Sequence, residues 1–216
     1  METLFRPQRL LRSHYHIYSA LLTVEMIKYL IKEIAQQVQA KEKPWRIGVI
    51  CPYKAQATLV DKVLSAQNIS NPKVRWVCGT IHSFQGDECE IIVTLLNPPL
   101  HISKSPNMFL NKKNIINVAI SRASDYLILL VPDTQTENIE NLYQVNRIQG
   151  IINYFLKGVC MDYKSMDIEE ILFKELDFIE QNTFSTTHQS VNVYVQPEKK
   201  YEIRCEEMAV DVQVNI

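Results

Sequence analysis

Ile47-Gly48-Val49-Ile50-Cys51 and Ile91-Ile92-Val93-Thr94-Leu95-Leu96 are short apolar runs, closed off by Pro44 and Pro52 around the first and by a Pro-rich loop from Asn97 after the second. Strands that are apolar on successive residues are buried on both faces. Working outward, the runs alternate with helical patterns. Ser19 reads as the N-cap of a helix to Ala40, with Val24, Ile27, Leu30, Ile31, Ile34 and Val38 on one stripe and Lys28, Lys32, Glu33, Gln36 and Gln37 facing away. Ala55–Ala66 is a second helix with Leu59, Val60, Val63 and Leu64 inward. The Asn71-Pro72 turn leads into a strand at Val74–Val77; Asn111–Ala123 reads as a helix, and Tyr126–Val131 (YLILLV), the most apolar run, as a central strand. Strands buried on both sides and alternating with helices predict an α/β, doubly wound parallel sheet over residues 19–150. Residues 1–18 read as an arm or linker bearing Arg6, Arg9 and Arg12. Residues 151–216 read as an appendage: an acidic helix over Asp167–Gln181, then a β-ribbon of segments 191–195 and 201–214.

The 216 residues are 46% hydrophobic and 22% charged, which excludes wholesale disorder and allows a core without staples. Five scattered cysteines with no CxxC pair indicate neither a disulfide framework nor a zinc site. The histidines at 14, 16, 82, 101 and 188 show no ligand spacing, so no metal site is expected. No apolar run approaches membrane length, and METLFRPQRLLRSHYH lacks the core of a secretory signal. A soluble, cytoplasmic protein without a membrane partner is the expectation. Net charge is −1, but residues 1–135 carry 16 Lys/Arg against 10 Asp/Glu, and residues 136–216 carry 7 against 14. A polyanion should therefore meet the first part of the chain, through local contacts.

Two stretches can carry chemistry. Gly79-Thr80-Ile81-His82-Ser83-Phe84-Gln85-Gly86-Asp87-Glu88 lies between two strands, so it is a crossover of the sheet, rich in hydrogen-bonding groups. Read alone, it is equally a polar loop with a Gly-Asp turn. Asn117-Val118-Ala119-Ile120-Ser121-Arg122-Ala123 places an arginine late in a helix, where it either caps carbonyls or projects from a rigid support toward phosphate.

Taken together and in order, ICPYKAQ (50–56), GTIHSFQGDE (79–88) and FLNKKNIINVAISRA (109–123) resemble the second RecA-like lobe of superfamily-1 helicases, of the RNA-surveillance-helicase type and its bacterial relatives. The resemblance implies that Arg122 is an arginine finger reaching the γ-phosphate of ATP, the catalytic contribution of this lobe. It also implies that Gln85 lies near that phosphate, with Gly86 beside it, and that Glu88 meets the ribose. Thr80, His82 and Ser83 would touch the backbone of a single strand, with Tyr53 and Gln56 in a further nucleic-acid segment. An arginine finger is worth roughly 10³–10⁵ in rate.

The departures limit the inference. None of Gly48, Gly79, Gly86, Gly150 or Gly158 is followed by Lys, so the sequence holds no GxxxxGK[ST] phosphate loop. Where the family often has Asn-Arg-x-Glu-Ala, this chain has His16-Ile17-Tyr18-Ser19-Ala20, with Ile17 in the arginine's place. The expectation is the C-terminal motor lobe of an ATP-dependent DNA or RNA helicase, inactive alone. ATP and Mg²⁺ would serve only when an N-terminal P-loop lobe, on the same or a separate chain, completes the site. The alternative is a free-standing, non-catalytic module that binds single strands or offers its acidic tail to a protein partner; Met1 accords with an independent chain.

Overall fold

The computed structural model describes the chain apart from Met1, Leu11, residues 38–42, Gln85, Asp87, Lys157, residues 188–189, 197–198 and 206–209, and Ile216, with side chains described from Leu4 to Thr183. In chain order the elements are α1 (Glu2–Phe5), β1 (Gln8–Leu10), β2 (Ser13–Tyr15), α2 (Ile17–Gln37), β3 (Trp45–Cys51), α3 (Lys54–Ala66), β4 (Val74–Thr80) and β5 (Cys89–Leu95). There follow α4 (Lys113–Ile120), β6 (Ala123–Leu130), α5 (Tyr143–Phe155), α6 (Ser165–Phe173), α7 (Phe178–Gln181), β7 (Thr183–Thr187), β8 (Ser190–Gln196), β9 (Lys199–Cys205) and β10 (Val210–Asn215). Strands β3 to β6 form one parallel sheet in the order β4-β3-β5-β6, the α/β arrangement expected of a RecA-like lobe.

The apolar runs lie where their composition requires. β3 and β5 are the two inner strands, and both need cover on each face. On one side Ile47, Val49 and Cys51 of β3 and Ile91, Val93 and Leu95 of β5 pack with Leu21, Val24 and Ile27 of α2 and Leu59, Val60 and Val63 of α3. On the other, Ile50 and Ile92 meet Ile81, Phe84 and the α4 residues Ile115 and Ala119. Leu96, Leu110 and Ile116 continue this layer against Leu142, Val145 and Ile148, the last two on α5.

Several expectations are corrected. Tyr126–Val131 belongs not to a central strand but to the sheet's edge, where Tyr126 is 62% and Leu127 38% exposed. The helix expected over Asn111–Ala123 begins at Lys113 and stops at Ile120, leaving Arg122 in the short link to β6. The segment ahead of α2 is no loose arm: Leu4 and Tyr15 are buried in the main core, and Ser13 Oγ accepts the Ala55 N–H at 2.8 Å, closing the first turn of α3. Helix α2 starts at Ile17, so Ser19 lies inside its first turn. The acidic helix is broken in two, with Lys174 and Asp177 at positive φ between α6 and α7. The expected ribbon is an antiparallel sheet ordered β10-β9-β8-β7, and segment 201–214 contributes to two of its strands. Helix α5 was not anticipated.

The α6–α7 segment docks on α2 through a buried carboxylate. Glu169, 1% exposed, accepts hydrogen bonds from the Tyr18 hydroxyl and, at 2.9 Å, from the Ile179 N–H. Burial and the adjacent Glu169 push the Tyr18 phenol up, so it stays a neutral donor. Replacing Glu169 by Ala strands two buried donors, each costing about 1–3 kcal/mol. Urea unfolding of Glu169→Ala should therefore show a stability loss of about 2 kcal/mol or more. A loss of about 0.5 kcal/mol or less, typical of a surface substitution, would mean that the docking does not depend on this carboxylate.

Candidate functional site

The crossover from β4 to β5 runs the length of the sheet, because parallel strands require the chain to return to the starting end. It leaves the carboxyl end of β4 with the Ile81 N–H donating to the Cys51 carbonyl at 3.2 Å. The Ser83 N–H and Oγ then both donate to the Thr80 carbonyl, at 2.9 and 2.7 Å, which closes a turn. Phe84, 2% exposed, seats the crossover on the sheet. A Cβ on Gly48 would fall 2.8 Å from its ring and 2.5 Å from Ile92 Cδ1; one on Gly79 would fall 2.2 Å from Ser83 Oγ. At Gly48 a side chain would collide with the packed Phe84 ring and Ile92, whereas at Gly79 the Ser83 hydroxyl could rotate aside and Phe84 stays at 3.3 Å. Gly86, at φ +94°, takes a backbone conformation that other residues rarely adopt.

The candidate residues separate to opposite ends of the strands, about 20 Å apart along a strand the length of β4. At the amino end, Glu88 is exposed and its carbonyl accepts from Arg46 Nη1 at 3.1 Å, while Glu90 Oε2 accepts the Arg46 N–H at 2.8 Å. The Cys89 N–H donates to the Arg122 carbonyl at 3.0 Å, which brings Glu88 and Arg122 side by side in the chain trace. Arg122 is half-buried. Its Nη2 donates to Ser121 Oγ at 3.0 Å, and its Nε is buried without a hydrogen-bond partner among the described residues. Gln85 lies outside the described residues.

At the carboxyl end, Tyr53, Thr80, His82 and Ser83 gather, and two further rings join them. Phe109 lies 5.8 Å from Tyr53 and 5.9 Å from His82 between ring centroids, and His14 lies 5.2 Å from Tyr53. Burial pushes the Tyr53 phenol up. Burial also lowers the His14 pKa, assisted by the nearby Arg9 and His101 charges. Lys54 opens α3 and Lys113 opens α4, neither with an acidic residue in its first turn, although helix dipoles favour anions there. Phe109 and His14 were missed in the sequence. Phe109 stands in the quoted FLNKK segment, and its place just ahead of α4 was the available signal.

An AAA-domain family profile matches residues 8–133, more than half of the chain and the whole of the parallel sheet. The chain belongs to this AAA-domain family. The assignment agrees with the helicase resemblance read from the motifs. Among curated relatives, "Putative helicase mov-10-B.2" of Danio rerio is 28% identical over 130 residues, covering 55% of this chain and 12% of that protein. "Uncharacterized ATP-dependent helicase C05C10.2" of Caenorhabditis elegans is 30% identical over 129 residues, covering 60% of this chain and 7% of that protein. "Replicase polyprotein 1ab" of Alphamesonivirus 1 is 37% identical over 86 residues, covering 40% of this chain and 2% of that protein. The matched segment thus spans a small part of each relative's length. Among solved structures, a Haemonchus contortus phosphoethanolamine N-methyltransferase 2 is similar with a TM-score of 0.32 at 14% identity, over 59% of this chain and 27% of that one, too slight a likeness to carry an argument.

In this AAA domain Gln56 is not available to nucleic acid, which corrects its assignment. It is fully buried, and both ends of its amide are spent on one residue. Gln56 Oε1 accepts the His16 N–H at 2.6 Å, and its Nε2 donates to the His16 carbonyl at 3.3 Å. The His16 ring is held as firmly: Nε2 lies 2.6 Å from the Phe5 carbonyl and so carries the proton. Nδ1 then accepts from Ser19, at 2.6 Å from Oγ and 3.3 Å from the N–H. His16, not Ser19, is the N-cap of α2. Ile17, where the family often has a cation, is fully buried.

Burial lowers the His16 pKa below the ordinary 6.5, partly offset by the bond to Phe5. The unfolded chain then binds more protons than the folded one below pH 6.5, so stability rises with pH. The contribution is fully present above 6.5 and is lost as pH falls through the depressed folded value. The melting temperature of the protein should drop between pH 7 and pH 5. His16→Asn, which can still cap α2, should melt lower at pH 7 but with a shallower pH slope; an unchanged slope would remove His16 from the acid response.

Proposed function

We propose that the chain is the C-terminal motor lobe of an ATP-dependent superfamily-1 helicase. The observation that carries this reading is the setting of Arg122. Arg122 stands in the link between α4 and β6, its carbonyl bonded to the Cys89 N–H next to Glu88, and its buried Nε lacks a partner among the described residues. A cation so supported is suited to an incoming anion. The exposed Glu88 carboxylate suits hydroxyl groups, so the pair fits the polyphosphate and the sugar of a nucleotide held mainly by another lobe. ATP with Mg²⁺, when bound, supplies the phosphoryl group whose hydrolysis drives movement. In that assembly Arg122 stabilises charge on the transferring group, Glu88 orients the ribose, and the Arg46 guanidinium holds the Glu88 backbone in place. Gly86 stands at the same edge, and Gln85 by its motif position is assigned to the γ-phosphate. The opposite edge, with Thr80, His82, Ser83 and Tyr53, meets a single strand of DNA or RNA. The phosphate loop and the Mg²⁺-holding carboxylates come from a P-loop lobe.

A second reading is a non-catalytic interaction module for a protein partner. It is favoured by an exposed apolar stretch beside the acidic appendage, where Tyr154, Phe155, Val159 and Met161 are 81%, 72%, 79% and 83% exposed.

ATPase assays on the chain alone and joined to a P-loop lobe encoded in the same genome distinguish the two. Alone, it should not turn over ATP; joined, it should. In the joined protein Arg122→Lys keeps the charge but loses the planar fork, so kcat should fall about a thousandfold or more with ATP affinity little changed. A lysine variant with near wild-type turnover would remove the arginine finger, and a joined protein without any turnover would favour the interaction module.

A further inference from the structure

We infer that Phe109, with Tyr53 and His82, forms a platform on which an unpaired nucleobase stacks, so that the carboxyl edge grips single strands by base faces as well as by phosphates. The inference rests on the reading of that edge as the nucleic-acid face and adds to it a class of contact and a residue that backbone recognition does not need.

Four rings form a continuous chain there, in the order His14, Tyr53, Phe109, His82. Their interplanar angles are 67°, 44° and 69°, so no two are stacked in parallel and their flat faces are not matched to one another. Core packing alone does not account for the arrangement. Phe109 touches two apolar clusters yet remains half exposed, and it lies on the connection between β5 and α4 rather than inside either element. The His82 ring meets it from the solvent side, where an exposed imidazole gains little from apolar contact. Tyr53 is half-buried and meets the His14 ring at 5.2 Å with 67° between the planes. A rigid aromatic surface at a solvent boundary is what stacking on a base requires, and every base offers a face irrespective of sequence.

The surrounding charge has the sign that a phosphodiester needs. Lys54 follows Tyr53 directly, Lys112 and Lys113 follow closely on Phe109, and all three are exposed. Arg9 and His101 lie near enough to His14 to lower its pKa. Aromatic rings and cations thus alternate along this edge. Thr80 and Ser83 then set the backbone of the strand, while Phe109 takes a base.

The test uses the chain as it stands and two labelled oligomers of equal length, a mixed-sequence single strand and an abasic strand with the same phosphates. Fluorescence anisotropy at several salt concentrations should show the base-bearing strand bound about tenfold more tightly, the scale of one stacked base. Phe109→Leu keeps apolar volume without a π face, and it should remove most of that difference while leaving abasic binding unchanged. Lys112→Gln should weaken both oligomers alike and reduce the salt dependence. Phe109→Trp, which retains an aromatic face if the leucine variant fails to fold, should keep the preference, and its emission should be quenched by the base-bearing strand but not by the abasic one. Equal affinity for the two oligomers, or a preference that survives Phe109→Leu, overturns the platform while leaving phosphate recognition intact. A wild-type chain that binds neither oligomer overturns the nucleic-acid reading and the platform with it.

Discussion

The seat of Phe84 on Gly48 and Gly79 is the contact on which both ends of the candidate site depend. A crossover between parallel strands has to traverse the whole sheet, and a segment as polar as this one has little reason to lie flat on it. One aromatic ring, occupying space that two glycines leave empty, supplies that reason. Thr80 and His82 stand on one side of the ring in sequence, and Gly86 and Glu88 on the other. Hydrogen bonds fix each end of the crossover, and this packed ring holds its middle against the sheet. Interiors this close-packed shift as units, so a displacement of Phe84 would be felt at both edges.

A second anchor lies at the start of α2. His16 is bound through its backbone by Gln56, through one ring nitrogen by Phe5 and through the other by Ser19, while Asn97 Nδ2 donates to Ser19 Oγ at 2.6 Å. Segments distant in sequence, from α1, α3 and the loop after β5, thus converge on one histidine. This convergence turns the stretch ahead of α2 into part of the domain. It also consumes Gln56, whose polar side chain in a motif-like segment reads as a ligand contact until its burial is known. With the His16 ring and the Gln56 amide both fully paired, an alternative arrangement would leave one of these buried groups stranded.

The inner strands were legible because burial on both faces leaves an unbroken apolar run, and α2 and α3 because one-sided burial imposes a stripe of period 3.6. The same logic misplaced β6. YLILLV is as apolar as an inner strand, but sequence cannot tell which neighbour is missing from an edge. Helix α5 was legible in principle, with Val145, Ile148 and Ile152 spaced along one face, but its exposed Tyr154 and Phe155 blur that stripe. Arg122 was found by motif and misplaced by element, since NVAISRA continues a helical pattern through a stop that Thr94 Oγ1, donating to the Ala119 carbonyl at 2.9 Å, helps to fix from another strand. Phe109 and His14 could not be joined to Tyr53 from spacing alone, because each contact closes a long loop of chain around a different edge of the sheet's carboxyl end.

The open flank of β6 bears on how such a chain survives in a cell. Its outer backbone groups have no strand partner among the described residues, and Tyr126 and Leu127 face water beside them. Neither a proline nor a lysine interrupts the run from Ala123 to Leu130; Asp125 is its one charged residue. Unprotected edges of this composition are what nascent chains adhere to and what chaperones recognise. A flank of this composition is one that another strand can extend. Asp125 sets a charge against that extension.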